Sequence, residues 1–141
     1  MTTPRLITGK RIYDDRGSLE CVDDLNFTTE GIQRFYAVQN HKVGQIRGWH
    51  HHVHEAKYIT MARGSAIVAA VKIEDTNSPD PNAEVFRYVL CAEQPTVLYV
   101  PEGYANAWQS LTEDSLALIL STSKTEDKGA RYSPSFWNVW K

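Results

Sequence analysis

Residues 45–64 read QIRGWHHHVHEAKYITMARG and place four histidines among basic and aromatic side chains in one short segment with a strand-like pattern. Because side chains alternate between the two faces of a strand, His50 and His52 point one way and His51 points the other way. We therefore expect His50 and His52 to face a cavity. His51 is expected to lie outside it.

Short apolar runs separated by turn residues make up most of the remaining chain. Spacing of this kind is typical of an all-β barrel or sandwich. The run at 66–73 is almost continuously apolar, which predicts a strand covered on both faces. No repeat or linker divides the chain, so we expect a single domain over residues 1–141. The predicted strand runs are 32–38, 56–61, 66–73, 85–90, 96–100 and 116–121.

Composition excludes several classes of protein. The net charge of −2 provides no basic field for non-specific nucleic-acid binding. No apolar window approaches the length of a membrane span, and the first residues do not resemble a signal peptide, so we expect a cytoplasmic protein without membrane contact. The tail at 132–141 contains Phe136, Trp137 and Trp140, and should pack on the barrel or across a dimer interface.

Four further side chains have simpler interpretations. Cys21 and Cys91 form neither a close ligand pair nor a disulfide framework, and we expect both to be small buried hydrophobes. His54 and the isolated His41 are expected at the surface, where most ionisable side chains lie.

Two motifs resemble those of the cupin superfamily. His50-x-His52, followed by a polar residue five positions later and Gly64, resembles the first motif, and PEGYANAWQS at 101–110 resembles the second. The glutamate of the first motif is replaced here by Lys57, whose ammonium cannot ligate a cation, and the histidine of the second is replaced by Asn106, a poor ligand. We therefore expect neither a metal nor another cofactor.

The chain also resembles two families of nucleotide-sugar enzymes within that superfamily. Residues matching the dTDP-4-dehydrorhamnose 3,5-epimerase family are Asp15-Arg16-Gly17, Gln39-Asn40, Arg47-Gly48 with His50, Lys57, and the segment 101–105. Residues matching the dTDP-4-keto-6-deoxyglucose 3,4-ketoisomerase family are those at 15–19 (DRGSL), those at 32–36 (IQRFY), and Arg47 with His50 and His52.

This resemblance implies a cupin-type β-barrel (jelly roll) that forms a homodimer and acts on a nucleotide-linked, dTDP-type 4-keto-6-deoxy sugar. A ketone acidifies the neighbouring C–H bonds, so a base and an enolate stabiliser suffice without a metal. His50 matches the family's base, Lys57 can stabilise the enolate oxygen, and His52 is a further catalytic candidate.

Other candidates would bind the substrate. Arg16 and Arg47 match the arginines that bind the diphosphate, because a guanidinium presents a planar fork of donors to phosphate oxygens. Tyr36 and Tyr104 could wall the sugar pocket, and Asn106 could bind a sugar oxygen. Gln39 is a further substrate-binding candidate, because the epimerase resemblance includes it.

One part of the pattern is missing. The 3,5-epimerases supply a tyrosine acid from a segment that reads LSTSKTEDKG here, at 120–129, and contains no tyrosine. Tyr132 or Tyr104 could supply a displaced acid. The 3,4-ketoisomerase reaction is therefore an alternative. A second alternative is a metal-dependent, dioxygenase-like cupin whose metal is bound by His50, His52 and His54. A third is a non-catalytic sugar-binding barrel.

Overall fold

The computed structural model describes residues 3–126 and 128–140 of the chain. A short helix, α1 (Phe27–Glu30), accompanies the strands. In chain order the strands are β1 (Arg5–Thr8), β2 (Lys10–Asp14), β3 (Gly17–Cys21), β4 (Arg34–Asn40), β5 (Ile46–His52), β6 (Lys57–Arg63), β7 (Ser65–Lys72), β8 (Val85–Cys91), β9 (Thr96–Val100), β10 (Tyr104–Ser110) and β11 (Ser115–Ser121).

Two antiparallel sheets pack face to face. The larger sheet has the strand order β1-β9-β6-β11-β4, and the smaller has the order β5-β10-β7-β8, while β2 and β3 form a separate hairpin. Apolar side chains of both sheets, including Ile59, Val68 and Leu98, fill the space between them. The predicted all-β, cupin-like jelly roll is confirmed. No helix in the described ranges is long and apolar enough to cross a membrane.

The smaller sheet is covered on both faces, which explains the apolar run in β7. Val68 and Ala70 face the core between the sheets, while Ala69 and Val71 face a second core on the outside. The C-terminal segment builds that outer core, where Trp137 packs edge-on against Trp49 with ring centroids 5.3 Å apart. The expectation that the aromatic tail packs on the barrel is confirmed.

The same segment buries His51, which was predicted to lie outside the cavity and does not line it. The side chain is on the opposite face from His50, as alternation requires, but it is only 3% exposed. Residues 129–131 cover it, and the His51 backbone N–H donates to the Ala130 carbonyl at 2.9 Å. His51 therefore lies outside the cavity without reaching solvent.

The simpler interpretations are partly confirmed. His41 and His54 are exposed, as expected. Cys21 and Cys91 are free thiols, but both are half-buried rather than buried, because each ends a strand at the border of the fold.

A bulge in β5 determines which of its side chains face inward. His50 pairs with Asn106 of β10, but the next residue of β10 pairs with Gly48, so Trp49 is an extra residue. Without that extra residue, Arg47 and His50 would point to opposite faces, since three positions separate them. With it, both border the cavity between the sheets.

The bulge requires glycine at position 48. Its φ is +128°, and a Cβ atom there would lie 2.4 Å from the Cβ of Ala107. We expect Gly48→Ala to lower the free energy of unfolding, measured in urea, by at least about 3 kcal/mol, because backbone strain and a steric clash add. Gly44→Ala is the matched control, because φ is +87° there but the space is open. Equal losses in the two variants would contradict this role of the close approach.

The outer core should contribute strongly to stability. Trp137 is 3% exposed, whereas its neighbour Phe136 is 37% exposed. We expect Trp137→Ala to cost about 3–5 kcal/mol in urea denaturation and Phe136→Ala to cost clearly less. A Trp137→Ala variant as stable as the wild type would show that the C-terminal segment does not hold the sheet.

Candidate active site

A cavity of about 260 Å³ lies between the two sheets. Its apolar lining includes Val38, Ile59, Val68, Ala107, Trp108 and Ile119. Its polar lining consists of Arg34, Tyr36, Arg47, His50, Lys57, Asn106 and Glu126. The side chains predicted as base, enolate stabiliser and part of the sugar-binding set therefore meet in one place.

Strand register explains how these side chains meet. In the larger sheet, Ser121 of β11 pairs with Arg34 on one side and with Lys57 on the other, so both cations lie in one row across the sheet. Tyr36 follows two residues after Arg34 and shares its face. In the facing sheet, His50 and Asn106 are direct cross-strand neighbours. The larger sheet thus contributes cations and a phenol, and the smaller sheet contributes an imidazole and an amide.

His50 is held in its neutral form. The side chain is half-buried, and this burial lowers its pKa below the ordinary value of 6.5. The cationic groups of Arg131, Lys57 and Arg47 lower the pKa further, while Glu126 opposes them. Because desolvation and nearby cations both disfavour the imidazolium, His50 can accept a proton at neutral pH.

Lys57 and Tyr36 form a hydrogen-bonded pair. Lys57 is only 7% exposed, and its Nζ donates to the Tyr36 hydroxyl at 2.7 Å. Burial, followed by the negative charge of Glu55, raises the pKa of Tyr36 to about 12. The phenol therefore keeps its proton at neutral pH, and because Lys57 is the donor in this bond, that proton remains available for another acceptor.

Arg47 lies at the rim of the cavity. Its Nε donates to Oδ1 of the buried Asn40 at 2.7 Å, and its Nη2 donates to the Gln39 carbonyl at 3.1 Å. These bonds fix the guanidinium while its outer edge stays exposed. Such an arrangement can bind an anion at the cavity mouth.

Four of the predicted site residues do not line this cavity. Arg16 lies in the β2–β3 turn, where it is 87% exposed and pairs with Asp14 at 2.6 Å. Gln39 is on the opposite face of β4 from Tyr36, because three positions separate them. Tyr104 is buried in the core against Phe86.

His52 is the fourth. It shares a face with His50, as the alternation predicts, and the two ring centroids are 6.4 Å apart. The side chain is 4% exposed, and its Nδ1 lies 3.5 Å from Oε1 of the buried Glu55. A direct role in catalysis stays a prediction.

Sequence reasoning missed Arg34, which lines the cavity, and Glu55, which contacts Arg34 from outside the cavity. Arg34 could have been found, because it stands two positions before Tyr36 on a strand and must share its face. Glu55 carried no such signal, because it lies in the connection between β5 and β6, where no periodicity applies. Among the described residues, no three or more His, Cys, Asp or Glu side chains form a group that could hold a metal ion.

The tyrosines considered as displaced acids lie elsewhere. Tyr104 is in the core, and the Tyr132 hydroxyl donates to the Thr76 carbonyl at 2.9 Å on the outer side of the smaller sheet. In the described part of the chain, the tyrosine that borders the cavity is Tyr36.

Comparison with solved structures finds the same fold in many proteins. Three examples have identities of 20% or less. An epimerase from Mycobacterium tuberculosis superposes with a TM-score of 0.73 at 20% identity, covering 89% of this chain but only 66% of its own. A 3,4-ketoisomerase from Helicobacter canadensis gives a TM-score of 0.72 at 18% identity and covers 96% of both chains. An epimerase from Legionella pneumophila, solved with dTDP-4-keto-L-rhamnose, gives 0.76 at 16% identity, over 97% of this chain and 78% of its own.

A search of curated protein sequences finds no match. The profile of the dTDP-4-dehydrorhamnose 3,5-epimerase family matches residues 3–135, which is nearly the whole chain. The resemblance drawn from the motifs is confirmed, and the chain belongs to the dTDP-4-dehydrorhamnose 3,5-epimerase family.

Proposed function

We propose that this protein is an isomerase that acts on a nucleotide-linked 4-keto-6-deoxy sugar by metal-independent enolisation, in deoxysugar biosynthesis. The observation that carries the proposal is the cavity in which His50, whose pKa is lowered, faces the Lys57–Tyr36 pair from the opposite sheet. A base on one wall and a cation with a protonated phenol on the other wall are what enolisation needs.

The chemical steps follow from this arrangement. His50 removes a proton from the carbon beside the C4 ketone, and the electron pair of that C–H bond moves to the carbonyl oxygen. Lys57 stabilises the resulting oxyanion, and because Lys57 is only 7% exposed its charge is poorly screened by solvent. The electron pair then returns from the oxygen to the carbon, which takes a proton from Tyr36 on the other side. Tyr36 regains a proton from solvent, and His50 releases to solvent the proton that it took. Protonation on the opposite face inverts that carbon, which is epimerisation.

The 3,4-ketoisomerase reaction is the second candidate. The geometry that favours it is the phenol of Tyr36 beside Lys57, because one hydroxyl group can move a proton between neighbouring sugar oxygens while His50 moves the carbon-bound proton. The superposition with a 3,4-ketoisomerase, which covers 96% of each chain, supports this candidate through likeness in fold.

The size of the cavity limits what it can hold. Pockets for drug-sized ligands measure about 300–1,000 Å³, so a cavity of about 260 Å³ fits a sugar ring and leaves the nucleotide outside. Arg47 at the rim is then placed for the diphosphate, and Asn106 for a sugar oxygen. Support for a dTDP-linked substrate comes from the family itself and from the ligand of the Legionella pneumophila epimerase.

The proposed role of Arg16 in substrate binding depends on the expected homodimer. Arg16 lies in an exposed hairpin, outside the cavity of its own chain. We propose that it contacts the substrate by reaching the site of a second subunit.

The role of His50 can be tested by hydrogen exchange. The protein is incubated with dTDP-4-keto-6-deoxyglucose in D₂O, and the product is analysed by proton NMR. Deuterium at C3 alone indicates a single epimerase, deuterium at C3 and C5 indicates a double epimerase, and a shifted keto group indicates a ketoisomerase. We expect His50→Asn to lower the exchange rate about 10²–10⁴-fold, because the base is lost. Lys57→Met should also slow exchange, because it removes the cation that stabilises the oxyanion. His41→Asn is the matched control, because His41 is exposed.

Other results would favour the alternatives. Exchange that survives in His50→Asn would contradict the proposed base. Activity that is lost to a chelator and accompanies a stoichiometric metal would favour the metal-dependent cupin. A wild-type protein that exchanges no 4-keto nucleotide sugar yet binds one would be a non-catalytic sugar-binding barrel.

The pH dependence follows from the pKa of His50. Because that pKa is lowered from 6.5, the midpoint of the acidic limb of kcat/KM should lie below pH 6.5. Arg131→Gln removes a cation, so it should raise the pKa of His50 and move the acidic limb to higher pH. Glu126→Gln removes an anion and should move the limb to lower pH. Shifts of the same sign in both variants would show that this limb does not report His50.

A further inference from the structure

Glu55 is a buried carboxylate that does not border the cavity. Its side chain has no exposed surface, and it lies in the connection between the two strands that carry His50 and Lys57. Burying a carboxylate is unfavourable unless partners compensate its charge. Its partners therefore indicate what the residue does.

The contacts of this carboxylate with described residues include three side chains. Arg34 Nη2 lies 3.2 Å from Oε2, His52 Nδ1 lies 3.5 Å from Oε1, and Ser121 Oγ donates to Oε2. Ser121 pairs with both Arg34 and Lys57 across the larger sheet. Its small side chain leaves room for the carboxylate beside Arg34.

The contacts continue from Glu55 into the cavity. The Arg34 guanidinium, also held by the Ser123 carbonyl at 2.9 Å, lies over the Tyr36 ring with Cζ 4.8 Å from the ring centroid. The Tyr36 hydroxyl in turn accepts the 2.7 Å hydrogen bond from Lys57. One continuous series of contacts thus runs from the buried carboxylate to the pair that faces the substrate.

We infer that Glu55 is a positioning residue for the reaction proposed above: it holds Arg34 against the Tyr36 ring and thereby fixes the phenol that Lys57 contacts. Glu55 itself touches no substrate. The inference rests on the proposed function, because it assigns a role within the same site. In this arrangement His52 is a neighbour of the Glu55 carboxylate and helps to hold it in position.

The charges around Tyr36 support the same assignment. Arg34, Lys57, Glu55 and Glu126 are the charged groups near its hydroxyl and ring. Of these, Glu55 makes the largest charge contribution to the raised pKa of Tyr36. A carboxylate in this position opposes ionisation of the phenol, which Arg34 alone would promote.

The test replaces the charge and keeps the shape. Glu55→Gln retains an oxygen that can accept from Arg34 but removes the negative charge. We expect kcat for exchange of dTDP-4-keto-6-deoxyglucose to fall up to about 10²-fold, the scale of a small misplacement of reacting groups, with KM nearly unchanged. Glu55→Asp should recover part of kcat. Glu74→Gln, at an exposed carboxylate, is the control and should behave as wild type.

A second measurement does not depend on activity. Tyrosine labelled with ¹³C at Cζ gives an NMR signal for Tyr36, which is assigned by its loss in Tyr36→Phe. In Glu55→Gln this signal should shift and should titrate at lower pH than in the wild type. If Glu55→Gln does not fold, Arg34→Gln is measured instead, and the Tyr36 signal should again shift, because the contact with the ring is lost.

The outcomes separate the two proposals. A wild-type protein without exchange activity contradicts the proposed function, while the Tyr36 signal still decides the positioning role. A folded Glu55→Gln variant with unchanged kcat and an unchanged Tyr36 signal overturns the inference. If Arg34→Gln is measured instead, an unchanged Tyr36 signal in that variant also overturns the inference. Equal losses of kcat in Glu55→Gln and Glu74→Gln would also overturn it.

Discussion

The close approach of Gly48 to Ala107 allows β5 to carry one more residue than its neighbour β10, and the site depends on that extra residue. A regular strand would send Arg47 and His50 to opposite faces. The bulge brings both to the cavity and leaves Trp49 on the other face, where the C-terminal segment covers it. The same local irregularity therefore builds the cavity wall and anchors the outer core.

The electrostatics of the cavity follow from which sheet supplies each group. The larger sheet places Arg34 and Lys57 in one row, and the buried Glu55 lies beside Arg34. The facing sheet supplies His50, whose pKa is lowered by its own burial and by the cations of Arg131, Lys57 and Arg47. The base therefore stays neutral, while burial and the charge of Glu55 keep the phenol of Tyr36 protonated. Separating the pKa values of two neighbouring groups in this way is what acid–base chemistry at one pH requires.

Several features of the site could be predicted because they are local. Alternation along a strand predicts the shared face of His50 and His52, and motif spacing brings Lys57 and Asn106 into the same site. Gln39 and Arg16 show the limit of motifs, since a matching residue can lie on the wrong face or in a distant hairpin. The burial of His51 could not be predicted either, because a segment almost eighty residues away in sequence covers it.

From its sequence alone, this chain could be identified as an all-β protein with a histidine and a lysine at the positions of two cupin ligands, because strand periodicity and motif spacing are properties of neighbouring residues. Only the tertiary structure decided which of the polar side chains meet. The contacts of Glu55 with Arg34 and Ser121, and of Lys57 with Tyr36, join residues that are separated by 21 and 66 positions. Such contacts arise from sheet register and the bulge, which no local pattern determines.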